Sequence, residues 1–286
     1  MTGTRVLPRF LLGHNALIGV SHIDRSADKL KREFGEQDRA FLELAVREGL
    51  RGIVLDTHPV ALGAASYLGR NHPEVSVIPM VPYAQGVVDQ ASRSGIGAMV
   101  MEMAGSGLGR GAGVFLRTFR DLLAGRLPAA GSRLAIHQYL AGFRGNPPVC
   151  FLHNIVTDLL LGWRAHDALA GFAQAVRERG ALPGFVTLNG GSLPRLAAIA
   201  GHDTWFMCAV NSRGIQMSPS RAAVEEVLGD GRFHVVGMSV LGGGLLRAEA
   251  EIPRAFSFPA VKSVIIGSTN AEHVRTALGI IAGLDP

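Results

Sequence analysis

The chain has 286 residues, 48% of them apolar and only 18% charged, which excludes extended disorder over most of its length. Its formal charge of +5 is carried almost wholly by Arg, since Lys29, Lys31 and Lys262 are the only lysines. The Arg residues are scattered, without a basic block or interleaved aromatics, so the charge argues against a nucleic-acid surface and for solvated surface or an anionic ligand. Cys150 and Cys208 lie in apolar runs and read as small buried hydrophobes of a reducing compartment. No metal-type Cys spacing exists, no apolar run approaches ~18 residues, and the N-terminus lacks the layout of a secretory signal. These features predict a cytoplasmic protein with no membrane and no nucleic-acid partner.

In chain order, candidate strands fall at 9–15, 52–58, 75–83, 149–154, 184–190, 204–211, 233–239 and 263–269. Helical patterns fall at 38–49, 165–180, 192–201, 218–231 and 270–283. The fourth of these has a cap-like Ser218-Pro219 start and a Gly near its end, as helices prefer. Continuous apolar strands that alternate with helices predict a parallel sheet buried on both faces. Eight such strands predict a single (β/α)8 TIM-barrel domain over 1–286, and no early GxGxxG supports a doubly wound sheet. Residues 97–103 could form a ninth strand, but the count favours helix. The segment from about 84 to 148 is a long connection between the third and fourth strands.

Sites in such barrels lie at the C-terminal strand ends. There the chain carries His14 and Asn15, Asp56 with Thr57 and His58, Tyr83, His153 and Asn154, Asn189, Asn211, Ser239, and Ser268-Thr269-Asn270. The strand interiors are almost wholly apolar. Burying polar groups costs a few kcal/mol each unless they pair. Asn, Ser and Thr at such ends also serve plain loops and caps, whereas Asp56 and His153 are harder to explain as packing. Asp56, His58, His153 and Tyr83 are therefore the candidate acid–base groups, and His14, Asn15, Asn154 and Asn211 candidate substrate contacts. "VLGGGLL" (240–246), with Gly242 and Gly243, follows the seventh strand, and "GSTN" opens the last helix. Loops at those two places commonly bind phosphate. Asn189, Ser239, Gly242, Gly243, Ser268, Thr269, Asn270 and Arg275 thus form a candidate anion or cofactor grip. His22 and Asp24, in the first βα loop, read as solvated loop rather than a lid.

The order of motifs resembles the aldo-keto reductase family. "GIVLDT", "FLH", "FVTLN", "MSVLGGGLL" and "VIIGSTNAEH" stand where that family has its Asp, its His, its Asn-bearing fifth strand, its Gly-rich loop and its last phosphate-type loop. The match covers roughly residues 49–58 and 149–282. It implies a TIM barrel, an NADP(H) cofactor and a catalytic tetrad of Asp, Tyr, Lys and His. Asp56 and His153 match two members of the tetrad. The family Tyr falls on Ala61, and the family Lys falls in "MVPYA" at the end of the third strand, where no Lys exists. Lys262, at the start of the last strand, should face the opposite end of the barrel. Tyr83 lies near the missing Lys without matching the family Tyr. The cofactor contacts also differ: Leu188 precedes Asn189, Met207 stands near the family Gln, Met238 replaces an aromatic, and Thr276-Ala277 replaces an acid–amide pair.

Three functions follow. The first is a non-redox lyase, isomerase or dehydratase that uses Asp56, His58 and His153, with His14 or Tyr83, on a small metabolite with an anionic group at "GSTN". Without a Lys to pair with, Asp56 would accept a proton itself or hold His58 or His153. The second is an atypical NADP(H)-dependent oxidoreductase; the third is a catalytically silent binding or regulatory subunit. A metal is not expected, since no local HxH or HExxH spacing exists. No cofactor is assigned, with NADP the one the resemblance brings forward.

Overall fold

A computed structural model describes residues 7–19, 33–81, 136, 140–143 and 147–284. Its centre is a closed barrel of eight parallel strands in the order β1 to β8. The strands are β1 (Phe10–Gly13), β2 (Gly52–Leu55), β3 (Ser76–Val81), β4 (Val149–Leu152), β5 (Leu182–Val186), β6 (Trp205–Ala209), β7 (His234–Met238) and β8 (Val261–Gly267). Around them, among the described residues, run α1 (Glu36–Arg47), α2 (Pro59–Asn71), α3 (Asn154–Gly162), α4 (His166–Glu178), α5 (Leu193–Ala200), α6 (Arg221–Leu228), α7 (Ala248–Phe256) and α8 (Ala271–Ala282). The predicted barrel is thereby met, with every predicted strand present and each shorter at its C-terminal end.

Alternation along the strands explains two packed layers. Leu11, Val54, Ile78, Phe151, Val186, Met207 and Val236 join in a cluster that contains no helical residue, and so fill the barrel interior. The alternate residues, among them Leu12, Ile53, Leu55, Leu152, Phe185 and Phe206, pack outward under the helices. Gly184 is required by this filling, because a Cβ there would stand 2.4 Å from the Phe151 ring. Cys150 and Cys208 belong to the outward layer, and burial pushes the Cys208 thiol up to about 12 and that of Cys150 higher still. Both are core.

The strands end early because their polar termini start the next element. His58 is the N-cap of α2 and His153 the N-cap of α3. Helices α2, α3 and α7 were not expected from the sequence pattern. α6 begins at Arg221 and is capped by the Ser220 hydroxyl, which accepts the Ala223 N–H, so the predicted Ser218-Pro219 start is corrected by two residues. Asn270 caps α8 in the same manner through the Glu272 N–H. Lys262 is the second residue of β8 and donates to the Pro259 carbonyl, at the barrel end opposite the strand C-termini. No helix among the described residues is long and apolar enough to cross a membrane.

Candidate functional site

The strongest cluster lies at the C-terminal ends of β1, β2 and β4. β1 and β2 are neighbours, with Leu12 beside Ile53 and Gly13 beside Val54, so the residues just beyond them meet. His14 and Asp56 are both about 4% exposed, and His14 Nε2 lies 3.0 Å from Asp56 Oδ2. The other carboxylate oxygen accepts the His58 backbone N–H at 2.8 Å. Burial alone would raise the Asp56 pKa. The hydrogen bonds from His14 and from the His58 amide outweigh it and hold the carboxyl below its usual value. Asp56 is thus a fixed carboxylate, in contrast to the expectation that it takes a proton itself. Among the described residues, the ring that its side chain meets is that of His14. A ring nitrogen facing a carboxylate must carry the proton, so in neutral His14 the lone pair sits on Nδ1.

His58 and His153 share one local design. Each has extended backbone, and each ring Nδ1 accepts the N–H of the second helical residue, from Val60 at 3.2 Å and from Ile155 at 3.3 Å. An acceptor Nδ1 places the proton of the neutral ring on Nε2. Burial pushes the pKa of both rings down, against the pull of the Asp56 charge, and that of His153 falls to about 4. The positive end of a helix dipole acts in the same direction. Both rings are neutral at pH 7. His153 follows Phe151 on β4, as Asp56 follows Val54 on β2, so both continue the inward rows. Met80, Met238 and Ile265 are partly exposed interior side chains that line this end with apolar surface.

The later strand ends are different. Asn211 is 1% exposed and its amide is fully engaged: it donates to the carbonyls of Ile215 and Ser239 and accepts the Ile215 N–H. The Ser239 hydroxyl donates to Gln216 Oε1 at 2.6 Å. Gly242, Gly243 and Gly244 all have positive φ, and a Cβ on Gly242 would also stand 2.9 Å from Ile215. Ser268 Oγ accepts the Asn270 N–H and lies 3.1 Å from His273 Nδ1. Arg275 turns to Glu48 and Glu272 on the surface. Thr269 and Asn189 are exposed; the Asn189 carbonyl takes the Ser192 hydroxyl. Asn15 lies in the turn after β1 and Asn154 is the first residue of α3. Tyr83, His22, Asp24 and residues 97–103 lie outside the described residues.

Two carboxylates that sequence reasoning missed brace this end. Asp158 of α3 accepts the Thr187 hydroxyl and, at 3.0 Å, the Leu188 N–H, and so ties the end of β5 to the helix that follows β4. Glu251 of α7, 5% exposed, accepts the Ser212 hydroxyl and, at 2.9 Å, the Ser212 N–H. The available signal was the lone acid of the apolar stretch "NIVTDLLLG" and the second of the two acids in "AEAEIPRAF". No group of three or more metal-binding side chains occurs among the described residues.

No family model and no curated protein matches the chain. Solved structures do. A protein described as a candidate aldo-keto reductase from Pseudomonas aeruginosa superposes with TM-score 0.61 at 15% identity, over 96% of this chain and 90% of that one. The fold is that of the aldo-keto reductases. The aldose reductase of Giardia lamblia gives 0.54 at 12% identity, over 99% and 89%. A further structure, of a variant in complex with NADPH, gives 0.54 at 12%, over 98% and 86%. Ala61, on which the sequence resemblance sets the family Tyr, is a fully buried residue of α2.

Proposed function

We propose that this chain is a non-redox enzyme on the aldo-keto-reductase barrel, which moves protons on a small metabolite. The observation that carries this reading is the buried His14–Asp56 pair at 3.0 Å. The sequence resemblance sets Asp56 at the Asp of the family tetrad, which in a reductase would hold a Lys. His14 is the general base, acting through Nδ1 while Asp56 holds Nε2. Such a pair suits proton abstraction, with the carboxylate holding the ring in place. His153, and His58 beside it, supply neutral polar groups. No phenol among the described residues stands at this end: Tyr67 is hydrogen-bonded to Glu43 at the far end of α2. The hydroxyl and amide of the Ser268 loop act within their own turn, so they support neither a phosphate nor a nucleotide by themselves.

A second reading, an NADP(H)-dependent oxidoreductase, is favoured by the neighbour that holds NADPH and by the positive-φ glycine run after β7. Fluorescence titration with NADPH, with NADH as control, separates the two. The proposal expects no saturation at millimolar cofactor. Micromolar binding that is lost in Ser268→Asp, together with carbonyl-dependent NADPH oxidation, would replace it with the reductase.

A further inference from the structure

Resting on the acid–base reading above, we infer that the substrate is a carbonyl compound with an acidic C–H beside the carbonyl, and that the step at this site is enolisation: His14 removes the proton while the Nε2–H of His153 holds the oxygen.

The argument turns on what kind of acid His153 can be. Its Nδ1 accepts the Ile155 N–H of its own helix, so the ring cannot gain a second proton without losing that bond. Burial and the helix terminus oppose the cation as well. A neutral imidazole N–H is far too weak an acid to transfer its proton to a departing hydroxide or amine. Elimination, which needs such a transfer, therefore suits the site poorly. A neutral N–H is well suited to donate a hydrogen bond to an oxygen that becomes negative in the reaction. The base stands opposite. His14 Nε2 is fixed on Asp56, and Asp56 is fixed in turn by the His58 amide, so the basic Nδ1 has a set direction.

The spacing agrees. β2 and β4 are separated by β3, so roughly 10 Å of barrel rim lies between the backbones that carry Asp56 and His153. Gly13 and Gly267, paired across β1 and β8, put no side chain into this end, and Met80, Met238 and Ile265 supply an apolar floor. The step balances without a redox partner. The C–H pair becomes the C=C bond, the carbonyl π pair moves to oxygen, and the proton goes to His14 Nδ1. Return of that proton to the same or the adjacent carbon gives exchange, epimerisation or isomerisation.

The test is deuterium wash-in from D2O at the carbon next to the carbonyl of dihydroxyacetone and of glycolaldehyde, followed by proton NMR with the full chain. Wash-in above the buffer blank is expected with at least one of them. His14→Asn should lower it at least ~100-fold, with an unchanged circular-dichroism spectrum; where that variant does not fold, His14→Gln replaces it. His153→Phe should lower it at least ~10-fold, while His153→Gln, which keeps an N–H donor, should retain the greater part. No wash-in from either carbonyl, or wash-in that His14→Asn leaves intact, overturns enolisation. Oxidation of NADPH by the same carbonyls overturns the acid–base reading itself, so the two failures are distinct.

Discussion

The two sides of the barrel mouth carry similar letters and use them differently. At β1, β2 and β4, the polar side chains face one another: His14 on Asp56, with His153 across β3. At β6, β7 and β8, the side chains of Asn211, Ser239 and Ser268 are committed to their own loop or to the neighbouring one. The difference follows from chemistry. Asn and Ser carry donors and acceptors that match backbone groups, so a loop can absorb them completely. A buried carboxylate needs a charge or several donors, and here a ring from the next strand supplies part of that need.

The sharpest break of this comparison is at the first side. Asp56→Ala frees His14 from its fixed tautomer and should lower turnover of the eventual substrate ~100-fold or more, read as kcat with intact far-UV dichroism. The next effect is on acid stability. The folded His153 pKa, about 4, lies below the ordinary 6.5. As pH falls, the unfolded chain binds this proton first, so stability drops from about pH 6.5 down to about 4 and is level below. The change from this group is roughly 3 kcal/mol. His153→Asn should show a correspondingly shallower loss in urea melts between pH 7 and 4. At the second side, Asn211→Ala leaves the Ile215 N–H and the Ile215 and Ser239 carbonyls without this partner, and should cost about 2–3 kcal/mol in the same melts. Ser268→Ala removes the acceptor of the Asn270 N–H and should cost about 1 kcal/mol. Equal loss of activity from Asn211→Ala and Asp56→Ala, at equal stability, would erase the contrast.

The barrel was legible because its strands are short apolar runs that stop at polar residues, and eight of them alternate with helices. What the pattern hid has particular causes. α2 reads as "PVALGAASYLGRN", in which Gly63 and Gly69 suggest turns; Gly63 is instead a contact point, where a Cβ would stand 2.5 Å from Phe34. α3 is too apolar to show a helical period, and Pro253 interrupts the pattern of α7. At the site, Asp56, His58 and His153 could be placed at strand ends from the letters. The pairing of His14 with Asp56 could not, since 42 positions separate them and only the closed sheet brings β1 beside β2. The Nδ1 caps were hidden too, because whether a His ends a strand or begins a helix depends on one backbone turn.

The most direct test is the state of the imidazole nitrogens, read by 15N–1H correlation NMR of the labelled protein from pH 8 to 4. The account predicts that His153 stays neutral, with its proton on Nε2, until the pH approaches about 4, while His14 shows an Nε2 proton shifted by the Asp56 carboxylate. A His153 ring that titrates near 6.5, or one that carries its proton on Nδ1, would contradict it.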